Sequence, residues 1–368
     1  MSARAAAALG ALLFGALACA RPREPITDCN AVGGARPVCG FHNPEDLALL
    51  PGGRALVASQ LGSIDGSKPG SLVFYDLATD AISPAFPTAE AAQAAPSPGW
   101  GDPHCPGPPG VAFDPHGIDL ALRPDGARVL LAVNHGGRES IELFELAGAP
   151  DAPALHWRGC AVAPDDASLN AVAGLPDGGL VTTKMTSRTH PVLSLLAGLL
   201  RLPTGCVLEW QPATGFRELA GTGGSGPNGV AVSRDGEVLY VDEYFSDQVR
   251  KIARRTGELL DWVEVASPDN IHWTPQGFLL VASHNAPFLD IFACADLERG
   301  QCPFYFSVLA VEPKRLVLTT IYENGGPPMG AGTVAVRAGD EIFVGTFAGD
   351  RILRFTLADW LRKSLTGA

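Results

Sequence analysis

The chain has 368 residues, 43 of them Gly and 31 Pro, with 46% hydrophobic and only 18% charged residues. That many chain-punctuating residues exclude a fold dominated by long helices, and that much apolar content excludes a disordered or collagen-like chain. The formal charge of −12 argues against a nucleic-acid partner, which would need clustered Lys and Arg against its phosphates.

Residues 1–18 read as a signal peptide. Arg4 is followed by the apolar, small-residue run Ala5–Ala18, too short to span a membrane as a helix. Ala16, Leu17 and Ala18 form the pattern that ordinary signal peptidase cuts. Cys19, directly after them, equally suits a lipoprotein signal, in which it is lipidated and attaches the chain to a membrane. Both routes predict an exported protein: periplasmic, envelope-bound or secreted. An exported N-terminal segment, 19–39, follows. Export permits disulfides. Cys29 with Cys39, and Cys294 with Cys302, each bracket a short polar loop and are candidate local pairs. With Cys19 set aside, Cys105, Cys160 and Cys206 complete an odd set of seven, so at least one thiol lacks an intrachain partner. No Cys-x-x-Cys spacing occurs, and no metal is assigned to sulfur.

Between residues 40 and 357 one pattern recurs: an apolar alternating run, a turn with Pro, Asp or Gly, then a strongly β-prone run. It begins at Asp46–Gly53 with Ala55–Ala58, then Ile118–Gly126 with Val129–Val133, and Ala171–Gly178 with Leu180–Thr182. It continues at Val230–Gly236 with Val238–Val241, Ile271–Gly277 with Phe278–Val281, and Thr333–Gly339 with Ile342–Val344. Each instance reads as a hairpin. The turn glycines 53, 126, 178, 236, 277 and 339 lie 73, 52, 58, 41 and 62 residues apart, room for one four-stranded sheet per interval. The expected fold is all-β, a six-bladed β-propeller over 40–357, with a C-terminal tail at 358–368. The longest loop, Asp80–Pro109, is an excursion on one face.

In a propeller the first strand of each blade lines the central channel, so polar residues that open those strands converge at one mouth. Counting back from the turn glycines, Glu45, Asn170, Asn228 and Asp269 each stand eight residues before, Asn270 seven and His116 ten. The sixth blade shows only Gly330, Ala331 and Gly332 at this place. Two carboxylates and three amide oxygens form a hard donor set suited to Ca²⁺ and less to Mg²⁺. His116 opens the second inner strand and His135 ends the strand after its turn, so the two rings can approach each other beside the metal. A His there could act as general base toward water. His284 ends the equivalent strand of the fifth blade and is expected to line the substrate pocket.

At these residues the sequence resembles the paraoxonase/arylesterase family, within the wider group of gluconolactonase and strictosidine-synthase-like propellers. The matching stretches run in order from Asn43–Leu47 through Pro115–Ile118, Val133–His135, Ile141–Phe144, Leu169–Asn170, Pro227–Val230 and Asp269–Ile271 to Tyr322–Gly325. The resemblance implies hydrolysis of lactones and aryl esters at a catalytic Ca²⁺ held by Glu45, Asn170, Asn228, Asp269 and Asn270, with His116 activating water and His135 as its partner. It also implies a second, deeper Ca²⁺ near Asp46 and Ile118. Three departures stand out. Ala171 replaces a carboxylate of that second site, Thr183-Lys184-Met185 replaces a run containing an acid implicated in catalysis, and no Cys near the C-terminus is available to close the ring. Closure is expected instead from pairing of the N-terminal segment with a strand in Glu341–Phe355.

Gly221–Gly226 fits a dinucleotide fingerprint formally, but Pro227 and a strand follow where a helix should open, so it reads as a loop. Pro191–Arg201 predicts a short helix over the channel mouth, and Trp273 is placed in the core. No Gly-x-Ser-x-Gly elbow is present, which disfavours a serine esterase. The competing reading is a non-hydrolytic envelope propeller that binds a small molecule or a protein.

Overall fold

The structure, a computed structural model, describes residues 24–358 except 64–67, 90–93, 287–289, 291–293, 295–296 and 298. The signal peptide, Cys19 and the tail from 359 onward lie outside the described residues.

Twenty-four strands, numbered in chain order, form six four-stranded antiparallel sheets, so the expected six-bladed propeller is the observed fold. The inner strands are β2 (Pro44–Leu49), β6 (Pro115–Leu122), β10 (Ala167–Gly174), β14 (Pro227–Val232), β18 (Pro268–Trp273) and β22 (Gly332–Ala338). Each contacts the next, and β22 returns to β2. Every predicted turn glycine lies between the first two strands of its blade and has positive φ, from 61° at Gly339 to 91° at Gly178. That backbone region is open to Gly at little steric cost, which is why the turns were legible.

The ring closes through β1 (Arg36–Cys39), which pairs with β24 (Arg351–Thr356) as the outer strand of the sixth blade. Strand pairing therefore closes the ring, as expected. Arg36 and Arg354 both reach Asp80 of the first blade, at 2.7 and 2.9 Å, clasping the first and last segments together.

Apolar side chains alternate along each strand, so successive residues face opposite neighbouring blades. On β10, Leu169 and Val172 pack toward the second blade while Ala171 and Ala173 pack toward the fourth. Six clusters result, each between adjacent blades. The inner strand of the fourth blade, β14, is wholly buried, whereas its outermost strand, β17 (Leu259–Glu264), is mostly exposed.

Both predicted local disulfides form, Cys29–Cys39 and Cys294–Cys302. A third, Cys105–Cys160, ties the long loop to the outer strand of the second blade, and Cys206 is a buried free thiol. Three disulfides fit an oxidising, extracytoplasmic compartment. The long loop is shorter than expected because β5 (Ile82–Phe86) occupies its start. Trp273 is not core. It is 37% exposed at the far mouth of the channel, where its indole N–H donates to the Val232 carbonyl.

Candidate functional site

Each inner strand breaks register with its neighbour near its start. The break falls at Glu45 in β2, His116 in β6, Asn170 in β10, Asn228 in β14 and the Asp269–Asn270 pair in β18. A bulge bends the strand and re-aims the extra residue's side chain. The predicted residues are therefore the bulge residues, and the constant offset from the turn glycine is the distance from bulge to hairpin. In β22 the break falls at Thr333, one position beyond the glycines that seemed to leave the sixth blade empty. Its hydroxyl donates to the Glu45 carbonyl at 2.6 Å and fixes the Glu45 backbone.

The side chains gather closely. Asn270 Nδ2 donates to Glu45 Oε1 at 2.8 Å, and His116 Nε2 lies 3.5 Å from the same oxygen. His284 Nε2 lies 3.6 Å from Asp269 Oδ2. Gly229, next to Asn228, lets β14 and β18 approach: a Cβ there would stand 2.4 Å from the Asp269 carbonyl oxygen.

Four oxygens of this cluster are buried without a hydrogen-bond partner: Glu45 Oε2, Asn170 Oδ1, Asn228 Oδ1 and Asn270 Oδ1. Buried polar atoms normally find partners, and orphaned ones cost roughly 1–3 kcal/mol each. Among the described residues no three His, Cys, Asp or Glu side chains gather as a metal cluster, so a cation here draws on amide oxygens. The charge balance points the same way. Burial raises the Asp269 carboxyl well above its ordinary value, and the nearby Glu45 carboxylate raises it further. Burial lowers the His116 imidazole, but attraction and hydrogen bonding to Glu45, with Asp269 and Asp114, outweigh it and raise the group to about 9. The pocket thus holds more negative charge than its protein groups balance, and its all-oxygen donor set fits a hard divalent cation.

Asp46 is different. Its Oδ1 accepts from Leu47 N at 2.8 Å and His272 Nε2 at 2.7 Å, and its Oδ2 accepts from Ile118 N at 2.7 Å. Ile118 thus presents a donor toward Asp46, and Ala171 brings no side-chain oxygen. The expectation of a second ion at Asp46 and Ile118 does not fit this donor set, because protein N–H groups already occupy the carboxylate. Burial lowers the His272 imidazole, yet Asp46, aided by Asp119 and Glu45, holds it above its ordinary value.

The two predicted histidines meet: His116 Nδ1 lies 2.9 Å from His135 Nε2. His135 Nδ1 in turn lies 3.0 Å from Glu139 Oε1, a contact that sequence reading missed although Glu139 stands four residues after His135. His284 is buried against Tyr244, Phe304 and Phe347, and desolvation lowers its imidazole to about 4. Asp242, also missed, is fully buried behind Gly229 with neither oxygen partnered, and burial raises it well above its ordinary value. Its only sequence signal is an acid directly after the apolar run Val238–Val241. Lys184 turns away from the site to Asp166, at 2.7 Å. The predicted helix is observed as α1 (Pro191–Leu199), seated by Gly198 against Phe245, with Val192, Leu193 and Leu199 exposed.

A family profile described as Arylesterase matches residues 40–353. The chain belongs to the Arylesterase family. Serum paraoxonase/arylesterase 1 of Mus musculus is 24% identical over 337 residues, 87% of this chain and 86% of that protein. The Homo sapiens protein of the same name is 24% identical over 342 residues, again 87% and 86% of the two chains. Among solved structures, a putative gluconolactonase is 15% identical with a TM-score of 0.50, over 90% of this chain and 94% of its own. A luciferin-regenerating enzyme is 13% identical with a TM-score of 0.51, over 86% of this chain and 92% of its own. At such identities the two structures speak for the fold alone. The expected kinship is borne out, and this arylesterase-family chain is a propeller-fold hydrolase.

Proposed function

We propose that the protein is an exported, calcium-dependent hydrolase of lactones or aryl esters. The observation that carries this reading is the set of four orphaned, buried oxygens from four blades beside the His116–His135 pair. The relatives named serum paraoxonase/arylesterase 1 support the substrate class. Glu45, Asn170, Asn228, Asp269 and Asn270 would hold the ion. Bound there, Ca²⁺ supplies a Lewis acid for a substrate carbonyl oxygen and for the negative charge that develops on it.

The chain's own groups do the remaining work. The Asn270 amide and the Thr333 hydroxyl hold Glu45 in place. His116 Nε2 faces the cluster while Nδ1 faces His135; a cation held by Glu45 and Asp269 would offset the carboxylate charge that raises this imidazole, leaving Nε2 able to take a proton from attacking water. General-base assistance of this kind contributes typically about 10²–10⁴-fold. His284, kept neutral by burial, and the Phe304 and Phe347 rings against it offer an apolar wall. The three disulfides support an extracytoplasmic setting.

The test is a panel of γ- and δ-lactones and phenyl acetate, assayed with calcium and after chelation. Turnover that disappears on chelation and returns with added Ca²⁺ is the expected result. Full turnover by metal-free protein, or none with calcium present, overturns the reading.

A further inference from the structure

We propose that Glu139 is the positioning residue of a three-member proton relay, fixing which nitrogen carries the proton on both His135 and His116. The proposal rests on the hydrolase reading above for its kinetic consequence, but its structural content stands on geometry alone.

Glu139 lies in the turn between β7 (Arg128–Asn134) and β8 (Ser140–Ala149). That turn is held tightly. The Asn134 side chain donates to the carbonyls of Gly136 and Arg138 and accepts from the Gly136 and Asp114 N–H groups. Gly136 packs so closely that a Cβ would stand 1.5 Å from the Ala112 carbonyl oxygen. The His135 N–H donates to the Asp114 carbonyl at 3.0 Å. The ring and the carboxylate are therefore presented to each other by a rigid backbone.

The Glu139 carboxylate is itself buried, at 5% exposure. Its Oε1 accepts the Leu169 N–H at 2.6 Å, and Arg188 lies 3.9 Å from Oε2. Both oxygens lie against His135 Nδ1, at 3.0 and 3.1 Å. A carboxylate only accepts, so the nitrogen facing it must donate. His135 then carries its proton on Nδ1 and offers the Nε2 lone pair to His116 Nδ1, 2.9 Å away. His116 must in turn donate from Nδ1, so its Nε2, 3.5 Å from Glu45 Oε1, is left with a free lone pair once that carboxylate is engaged by the cation the cluster would hold. One carboxylate, two rings removed from the pocket, thereby sets the tautomer that makes His116 a base rather than a donor at the position where water attacks.

The proton balance closes. When water's O–H bond breaks, an N–H bond forms at His116 Nε2. The Nδ1 proton of His116 passes to His135 Nε2, and the resulting His135 imidazolium rests against the Glu139 carboxylate. The same path reversed returns the proton to the leaving oxygen.

Glu139→Gln separates this role from scaffolding. The Gln carbonyl oxygen can still accept from Leu169 while its amide turns an N–H toward His135 Nδ1, which inverts the ring's tautomer. With ¹⁵N-histidine-labelled full-length protein, ring ¹⁵N shifts should assign the Nδ1–H form to His135 in the wild type and the Nε2–H form in the variant. In lactone hydrolysis, Glu139→Gln should lose on the order of 10²–10⁴-fold in kcat. KM and the calcium-induced rise in Tm should stay close to wild type, and Glu139→Asp should restore part of the rate. A wild-type His135 protonated on Nε2, or a Glu139→Gln enzyme with wild-type kcat, overturns the proposal. If the wild type turns over no substrate, the hydrolase reading fails, and the ¹⁵N shifts alone decide for or against the relay geometry.

Discussion

Gly229→Ala tests whether close approach of two inner strands sets the cluster. A Cβ at this position would stand 2.4 Å from the Asp269 carbonyl oxygen, 2.8 Å from Asp242 Oδ2 and 2.9 Å from the Ile271 nitrogen. Two of these atoms are β18 backbone and cannot rotate aside. Ordinary contact returns only if β14 and β18 separate by roughly 1 Å, in an interior packed as densely as a crystal. Overpacking of this kind costs about 1–3 kcal/mol, which for a chain of this size lowers Tm by roughly 1–4 °C. Because Asn228 and Asp269 sit on the strands forced apart, the calcium-induced rise in Tm should shrink and hydrolysis should fall by about 10²-fold. The control is Gly223→Ala, where a Cβ meets nothing within 4 Å. Its stability should stay within about 0.5 kcal/mol of wild type. Differential scanning fluorimetry with and without Ca²⁺, alongside lactone kinetics, reads all three quantities. A Gly229→Ala protein with wild-type Tm and calcium response would refute the idea that this strand spacing positions the cluster.

Calcium at about 100 times its Kd should stabilise the protein by about 2.7 kcal/mol, and Asn270→Ala, which removes an orphaned oxygen and the donor to Glu45, should abolish that gain in thermal melts. His116→Gln should lower kcat by about 10²–10⁴-fold while leaving the fold's circular dichroism unchanged. Replacing both Cys105 and Cys160 with Ser opens a link between residues 55 apart, and chemical denaturation should report a loss of about 4 kcal/mol. Asp80 is held down at about 2, chiefly by its hydrogen bond from Arg36, so its folded value lies below its unfolded one. Its contribution is therefore present above pH ~4 and fades as pH falls toward ~2. After discounting for its partial exposure, Asp80→Asn should cost at most about 1 kcal/mol in denaturation at pH 7, and the gap should narrow at pH 3.

The sequence by itself determined the blade count and which polar residues the inner strands bring together at the channel. Both are written in local chemistry: a glycine that must take positive φ at each hairpin tip, and a polar residue a fixed distance before it at the start of an apolar strand. Pairing of Cys29 with Cys39 and of Cys294 with Cys302 was legible because loops that short leave few other partners. The tertiary structure alone decided what depends on neighbours distant in the chain. Thr333 escaped the count because its strand breaks register six residues before the turn glycine rather than eight, and its partner, the Glu45 carbonyl, is 288 residues away. Asp46 looked free for a second ion until His272, 226 residues distant, was seen to occupy it. Trp273 looked like core because it stands in an inner strand, yet it sits where the channel opens to solvent. Glu139 stands only four residues from His135, but its role depends on a turn pinned by Asp114 and Ala112 and on a donor from the next blade. Local pattern fixes which residues a strand can present, whereas the oxygens left unpartnered, and so in need of a cation or a proton, are known only when all six blades have closed around them.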